Sequence, residues 1–128
     1  MTTRKEIYRE MEKMTGAVPS FFKRLPDSEL ELEWKLFADQ MSTTGAIPPK
    51  YRELMGLAVA SSLQCRFCIY AHTEFARVFG ATDEEIENAV HTAKHTAGWS
   101  TYIAGLGTGF EEFKTEIDAA CEHMRSQR

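Results

Sequence analysis

The sequence predicts an all-α protein. Three observations carry that expectation. Ala and Glu together supply 29 residues, whereas Val and Ile supply 10. Apolar residues recur at three- and four-residue spacings, the period of a helix face. No segment shows the strict alternation of a half-buried strand, so the segments read as packed helices around one core. A length of 128 residues fits a single domain, expected to span 1–128.

The elements follow in order. A first helix is expected from Thr3 to Met14, with Ile7, Met11 and Met14 as its apolar stripe and Gly16 as its end. Pro19 to Arg24 reads as a short helical turn carrying Phe21 and Phe22. The next helix, Asp27 to Met41, opens on acidic residues that suit the positive end of the helix dipole. Its apolar face is Leu30, Trp34, Phe37 and Met41, flanked by Leu32 and Leu36. Ser42 to Ile47 is a polar loop. Pro48-Pro49 opens a helix to Leu63, since proline is tolerated in a first turn. Leu54 to Leu63 is apolar or small on all sides, so burial on more than one face, or at a subunit contact, is expected. A helix from Cys65 to Phe79 is closed by Gly80. Thr82 and Glu85 form a capping box for a helix from Asp83 to His95. Gly98 is expected to break that helix, leaving Trp99 to Leu106 as a short one. Gly107 and Gly109 break the chain again before a final helix from Phe110 to Arg125.

Composition excludes several classes. Fifteen basic and 19 acidic residues leave a net charge of −4, against the basic face of a nucleic-acid binder. The 43% hydrophobic content argues against disorder. The charge-free apolar stretch Leu54 to Cys65 is too short to span a bilayer. The opening residues show no secretory h-region, so the cytoplasm is the expected compartment. Three cysteines are too few for a disulfide scaffold, yet Cys65 and Cys68 form a Cys-x-x-Cys. In a reducing compartment that spacing is more often catalytic or metal-binding than structural.

That pair belongs to a larger constellation: Glu53, eleven intervening residues, then Cys65-Arg66-Phe67-Cys68-Ile69-Tyr70-Ala71-His72. On a helix, Cys65, Cys68 and His72 fall on one face, within about one-sixth of a turn. Both cysteines lie in the first turn, where the dipole and free N–H groups favour a thiolate. If the chain reverses near Leu63 and Gln64, Glu53 sits level with His72 in an antiparallel pair. A carboxylate there can orient the imidazole and fix its tautomer. The group reads as a relay from Glu53 through His72 to a cysteine sulfur, with a thiol as nucleophile. Position alone leaves open which cysteine attacks; Cys65 is nearer the helix start.

The pattern resembles the AhpD-like branch of the carboxymuconolactone decarboxylase superfamily, in which a glutamate on one helix precedes a Cys-x-x-Cys-x-x-x-His that opens the next. Glu53, Cys65, Cys68 and His72 match position by position, and Pro48 to Val90 reads like the family throughout. The resemblance implies an AhpD-like bundle of six to seven helices that assembles into a trimer or hexamer. It implies a thiol-dependent alkylhydroperoxidase or disulfide reductase needing no cofactor or metal, with Cys68 attacking and Cys65 resolving. It further implies a hydroperoxide or disulfide substrate and an external lipoyl- or thioredoxin-like dithiol reductant, with no nucleic acid or membrane partner. Where some members carry a polar residue or histidine between the cysteines, this chain has Phe67, so a second proton carrier is absent there.

Two other readings compete. A lyase of the superfamily would act on a carboxylated muconolactone, but that branch generally lacks the cysteine pair. A zinc or redox-sensing module would need ligands beyond Cys65, Cys68 and His72. His91 and His95 share a helix face and read as surface or interface residues. Cys121 reads as packing, as do Trp34, Trp99, Phe110 and Phe113. Tyr70 reads as core or interface. Gly105 to Gly109 lacks the strand context of a nucleotide loop.

Overall fold

A computed structural model describes residues 2–128. Among them are six α-helices and one 3₁₀ turn: α1 Arg4–Thr15, the turn Phe22–Arg24, α2 Asp27–Gln40, α3 Pro49–Ser62, α4 Arg66–Val78, α5 Asp83–Gly105 and α6 Phe110–Ser126. The expected all-α architecture is what the chain adopts. No helix among these residues is long and apolar enough to cross a membrane.

Two hydrophobic clusters hold the helices. The first joins α1, the 3₁₀ turn and α2 through Ile7, Met11, Phe22, Leu30 and Trp34. Phe22 meets Trp34 edge-on, with ring centroids 5.7 Å apart. Arg4 fastens this unit from outside, donating to Tyr8 and to the Leu25 carbonyl. The second cluster joins α3, α4 and α5 through Leu57, Ala76 and Ile86. Between the units, Arg52 donates to the carbonyls of Asp39, Ser42 and Ile47, so one guanidinium organises the connecting loop.

Helix ends follow local chemistry. Thr3 with Glu6 and Thr82 with Glu85 form complete capping boxes. Gly16 ends α1 at φ 80°, a left-handed conformation that a Cβ disfavours. Gly98 departs from expectation: α5 runs unbroken through it for 23 residues. An interior glycine weakens a helix by only about 1 kcal/mol, too little to break a helix whose turns continue on both sides of it.

Burial in the single chain narrows two further expectations. The apolar run on α3 buries one face only: Glu53, Leu57 and Ala60 are inside, while Met55, Val59 and Leu63 are exposed. Tyr70, Trp99 and Phe110 are 71%, 57% and 72% exposed, so none packs into the core of the single chain.

Candidate active site

α3 and α4 run antiparallel through a tight reversal at Leu63 and Gln64. Gln64 takes φ 54°, the one non-glycine residue with positive φ among those described. That left-handed conformation is costly for a residue with a Cβ. It delivers Cys65 directly into the N-cap position of α4. Cys68 then stands in the first turn and His72 one turn beyond.

Glu53 is the one buried charged residue among those described, at 3% exposure. A carboxylate taken out of water is costly unless it is partnered. Its partner is neither Lys50 nor Arg52, the neighbours a surface reading would choose. Lys50 pairs instead with Glu85 at 3.1 Å, and Arg52 holds the loop. Glu53 Oε2 lies 2.7 Å from His72 Nδ1. A carboxylate only accepts, so Nδ1 carries the hydrogen and donates it, leaving Nε2 as the free acceptor.

The imidazole rests on Gly56. A Cβ at that position would lie 2.5 Å from Cε1, 2.6 Å from Nδ1 and 2.8 Å from Nε2 of His72. No side chain fits between helix and ring, so Gly56 is what allows His72 to reach Glu53. Sequence reasoning did not single it out. The available signal was its place one turn past Glu53, on the same face.

The two sulfurs lie 2.8 Å apart and share one hydrogen bond, and both cysteines are free thiols. The Cys68 backbone N–H donates to Cys65 Sγ at 3.4 Å. The Cys68 thiol, and then that backbone N–H, hold Cys65 below the ordinary thiol value. The same sulfur contact, reinforced by desolvation, pushes Cys68 up.

Both cysteines and His72 line a half-open pocket of about 880 Å³. Its other walls come from both units: Ser20, Phe21, Arg24 and Phe37 from the N-terminal one, Phe67, Ala71 and Phe75 from α4. Phe37 and Phe75 meet edge-on across the seam at 6.4 Å. Phe21 and Phe22 divide their roles. Phe22 is 3% exposed in the core and Phe21 60% exposed in the pocket wall, since neighbours on a helical turn cannot face the same way. Their adjacency was the one sequence hint of this wall.

The other candidates fall elsewhere. His91 and His95 meet edge-on with ring centroids 5.1 Å apart at exposed positions of α5. Cys121 lies half-buried on α6. Among the described residues, no three His, Cys, Asp or Glu side chains converge as a metal-binding group.

Fold and site together define an all-helical protein with a dithiol at a helix start and a buried carboxylate–imidazole pair behind it. The chain belongs to the carboxymuconolactone decarboxylase family, whose model matches residues 29–108, as an AhpD-like member. It is 35% identical over 78 residues to uncharacterized protein 4 in the cox locus of Paracoccus denitrificans, covering 61% of this chain and 66% of that one. It is 29% identical over 109 residues to an alkyl hydroperoxide reductase of Mycobacterium tuberculosis, covering 80% of this chain and 31% of that one. This chain therefore spans just under two thirds of the first relative's length and about a third of the second's. In structure it is similar to the alkylhydroperoxidase AhpD core of Rhodospirillum rubrum, with TM-score 0.75 and 22% identity over 87% of this chain and 85% of that one.

Proposed function

We propose that the protein is a thiol-dependent oxidoreductase that reduces organic hydroperoxides through Cys65 and Cys68. The observation that carries this reading is the buried Glu53 carboxylate 2.7 Å from His72, in a pocket wall that His72 shares with both sulfurs. A buried acid aimed at an imidazole is costly for stability alone and suits proton transfer.

Cys68 is exposed in the pocket, one helical turn from His72. It loses its proton to His72 Nε2, and the Glu53 carboxylate compensates the charge formed on the ring. The Cys68 thiolate attacks the terminal oxygen of the hydroperoxide. The O–O bond breaks, the sulfur becomes a sulfenic acid, and the alkoxide leaves as the alcohol after taking the proton from His72. Cys65, whose thiolate is favoured at the N-cap, attacks the Cys68 sulfur, forming the disulfide and releasing water. An external dithiol then attacks Cys68. Cys65 leaves as its stabilised thiolate, since a lower pKa makes a better leaving group. The dithiol ends as a disulfide and both thiols are restored. The lowered Cys65 titration suits a leaving group in the last step, while the raised Cys68 titration is what the His72–Glu53 pair has to overcome to form the attacking thiolate.

The test is hydroperoxide consumption with dihydrolipoamide as reductant. Wild-type protein turns over. Cys68→Ser does not, and Cys65→Ser stalls after one event, with a dimedone adduct on Cys68. Turnover unaffected by Cys68→Ser rejects the reading, and an adduct on Cys65 in Cys68→Ser reverses the two roles. The family's lyase reaction is checked in parallel by carbon dioxide release from a carboxylated muconolactone.

The reading extends to a homo-oligomer. Helix α6 has no buried residue in the single chain, yet Phe110, Ile117 and Met124 form an exposed apolar stripe along it. A second copy is the proposed cover. Sedimentation at micromolar concentration should give a trimer or hexamer, and a monomer there excludes it.

A further inference from the structure

The shape and charge of the pocket bear on substrate class, an inference that rests on the hydroperoxide reading. Four phenylalanines, Phe21, Phe37, Phe67 and Phe75, wall the space above the sulfurs. A volume of about 880 Å³ far exceeds what hydrogen peroxide needs and lies in the range that holds a molecule of some tens of heavy atoms. Arg24 is the one permanently charged side chain in the lining, which contains no acid. Among the described residues Arg24 is paired with no carboxylate, and neither is Arg66. Arg66, beside the lining residue Phe67, adds a second positive charge, its guanidinium 5.1 Å from the centroid of the Phe67 ring. This local cationic edge contrasts with a chain of net charge −4, so it is not a by-product of overall composition.

We propose that the pocket selects an amphipathic, carboxylate-bearing hydroperoxide, a fatty-acid hydroperoxide, with its chain among the phenylalanines and its carboxylate on Arg24. A neutral aryl or alkyl hydroperoxide would satisfy the apolar walls and leave the guanidinium unmatched. A guanidinium–carboxylate contact is charge-assisted and directional, which is how an exposed arginine can discriminate an acid from its ester. The fatty-acid hydroperoxide leaves as the hydroxy acid, by the electron balance given above.

Binding and turnover separate this inference from the reading beneath it. The Cys68→Ser protein is titrated by calorimetry with the hydroxy acid derived from linoleate hydroperoxide and with its methyl ester, below micelle-forming concentrations. The acid should bind about tenfold tighter than the ester. Arg24→Gln should abolish the difference, and Arg24→Lys should retain part of it. Equal affinities for acid and ester, or an acid preference that survives Arg24→Gln, overturn the proposal. In wild-type protein, kcat/KM for linoleate hydroperoxide should exceed that for its methyl ester by a similar factor. Equal reduction of both hydroperoxides rejects the substrate class while leaving the peroxidase reading intact. Arg24-dependent binding without reduction of either hydroperoxide rejects the peroxidase reading while leaving the pocket's anion preference intact.

Discussion

The α3–α4 pair and the distal arm, made of the second half of α5 and α6, are both rich in apolar and small residues, but their fates differ. On α3 a charged residue, Glu53, is buried beside Leu57 and Ala60. On the arm Trp99, Leu106 and Phe110 are exposed and α6 buries nothing. The difference is the presence of a partner. α3 lies against α4 and α5 with small residues such as Gly56, Ala60 and Ala76 at the contact, so backbones approach closely and a polar pair can be enclosed. The arm has no surface of its own chain to cover it. Hydrophobicity thus sets what could be buried, and the available neighbour sets what is.

The sharpest way to break this comparison is at the enclosed polar pair. His72→Ala and Glu53→Gln should each lower the rate of Cys68 oxidation by hydroperoxide by about 10²–10⁴-fold, measured by stopped-flow loss of free thiol. An unchanged rate would reduce the buried pair to a packing feature. Next, core truncation should separate the regions. Leu57→Ala, at a site 1% exposed, should cost about 2–5 kcal/mol in denaturant unfolding. Leu106→Ala on the arm should change chain stability by no more than about 0.5 kcal/mol while weakening self-association. Equal losses would mean the arm is packed in solution.

Gly56→Ala tests how the pair is positioned. The added methyl should cost about 1–3 kcal/mol through overpacking and also lower the oxidation rate, because the ring must leave Glu53. A shifted His72 ring resonance in NMR distinguishes displacement from mere destabilisation. At the dithiol, Cys65 should alkylate with a midpoint below that of an ordinary thiol, and Cys68→Ala should move it up by removing the largest cause of the lowering. For an acid with a lowered folded-state pKa, the contribution to stability is present above the ordinary thiol value. It is lost as pH falls through the lower value of Cys65. The smallest effect is expected at Gly98→Ala. No heavy atom lies within 4 Å of the added Cβ, so the change should stabilise α5 by about 0.5–1 kcal/mol, read as a small rise in Tm.

Much of this was legible in the chain itself. The helices at Arg4, Asp27, Pro49, Arg66 and Phe110 start where caps, prolines and glycines place them, because those signals act over a few residues. The Glu53–His72 level match followed from counting residues back and forward from one reversal. Gly98 misled because a glycine's helix penalty is small beside that of a proline, so context decided. The pocket was not legible. Ser20, Phe21, Arg24 and Phe37 stand at least 25 residues before Cys65 in the sequence, and no local period links them to it.

By itself, then, the sequence determined the all-α class, the dithiol at a helix start and the spacing that sets Glu53 level with His72, since these depend on short-range geometry and side-chain chemistry. The tertiary structure alone decided that Glu53 is buried, that Gly56 makes room for His72, and that an aromatic wall carrying Arg24 lines a half-open pocket with the sulfurs. Those features depend on which surfaces meet, and that is settled by packing between segments far apart along the chain.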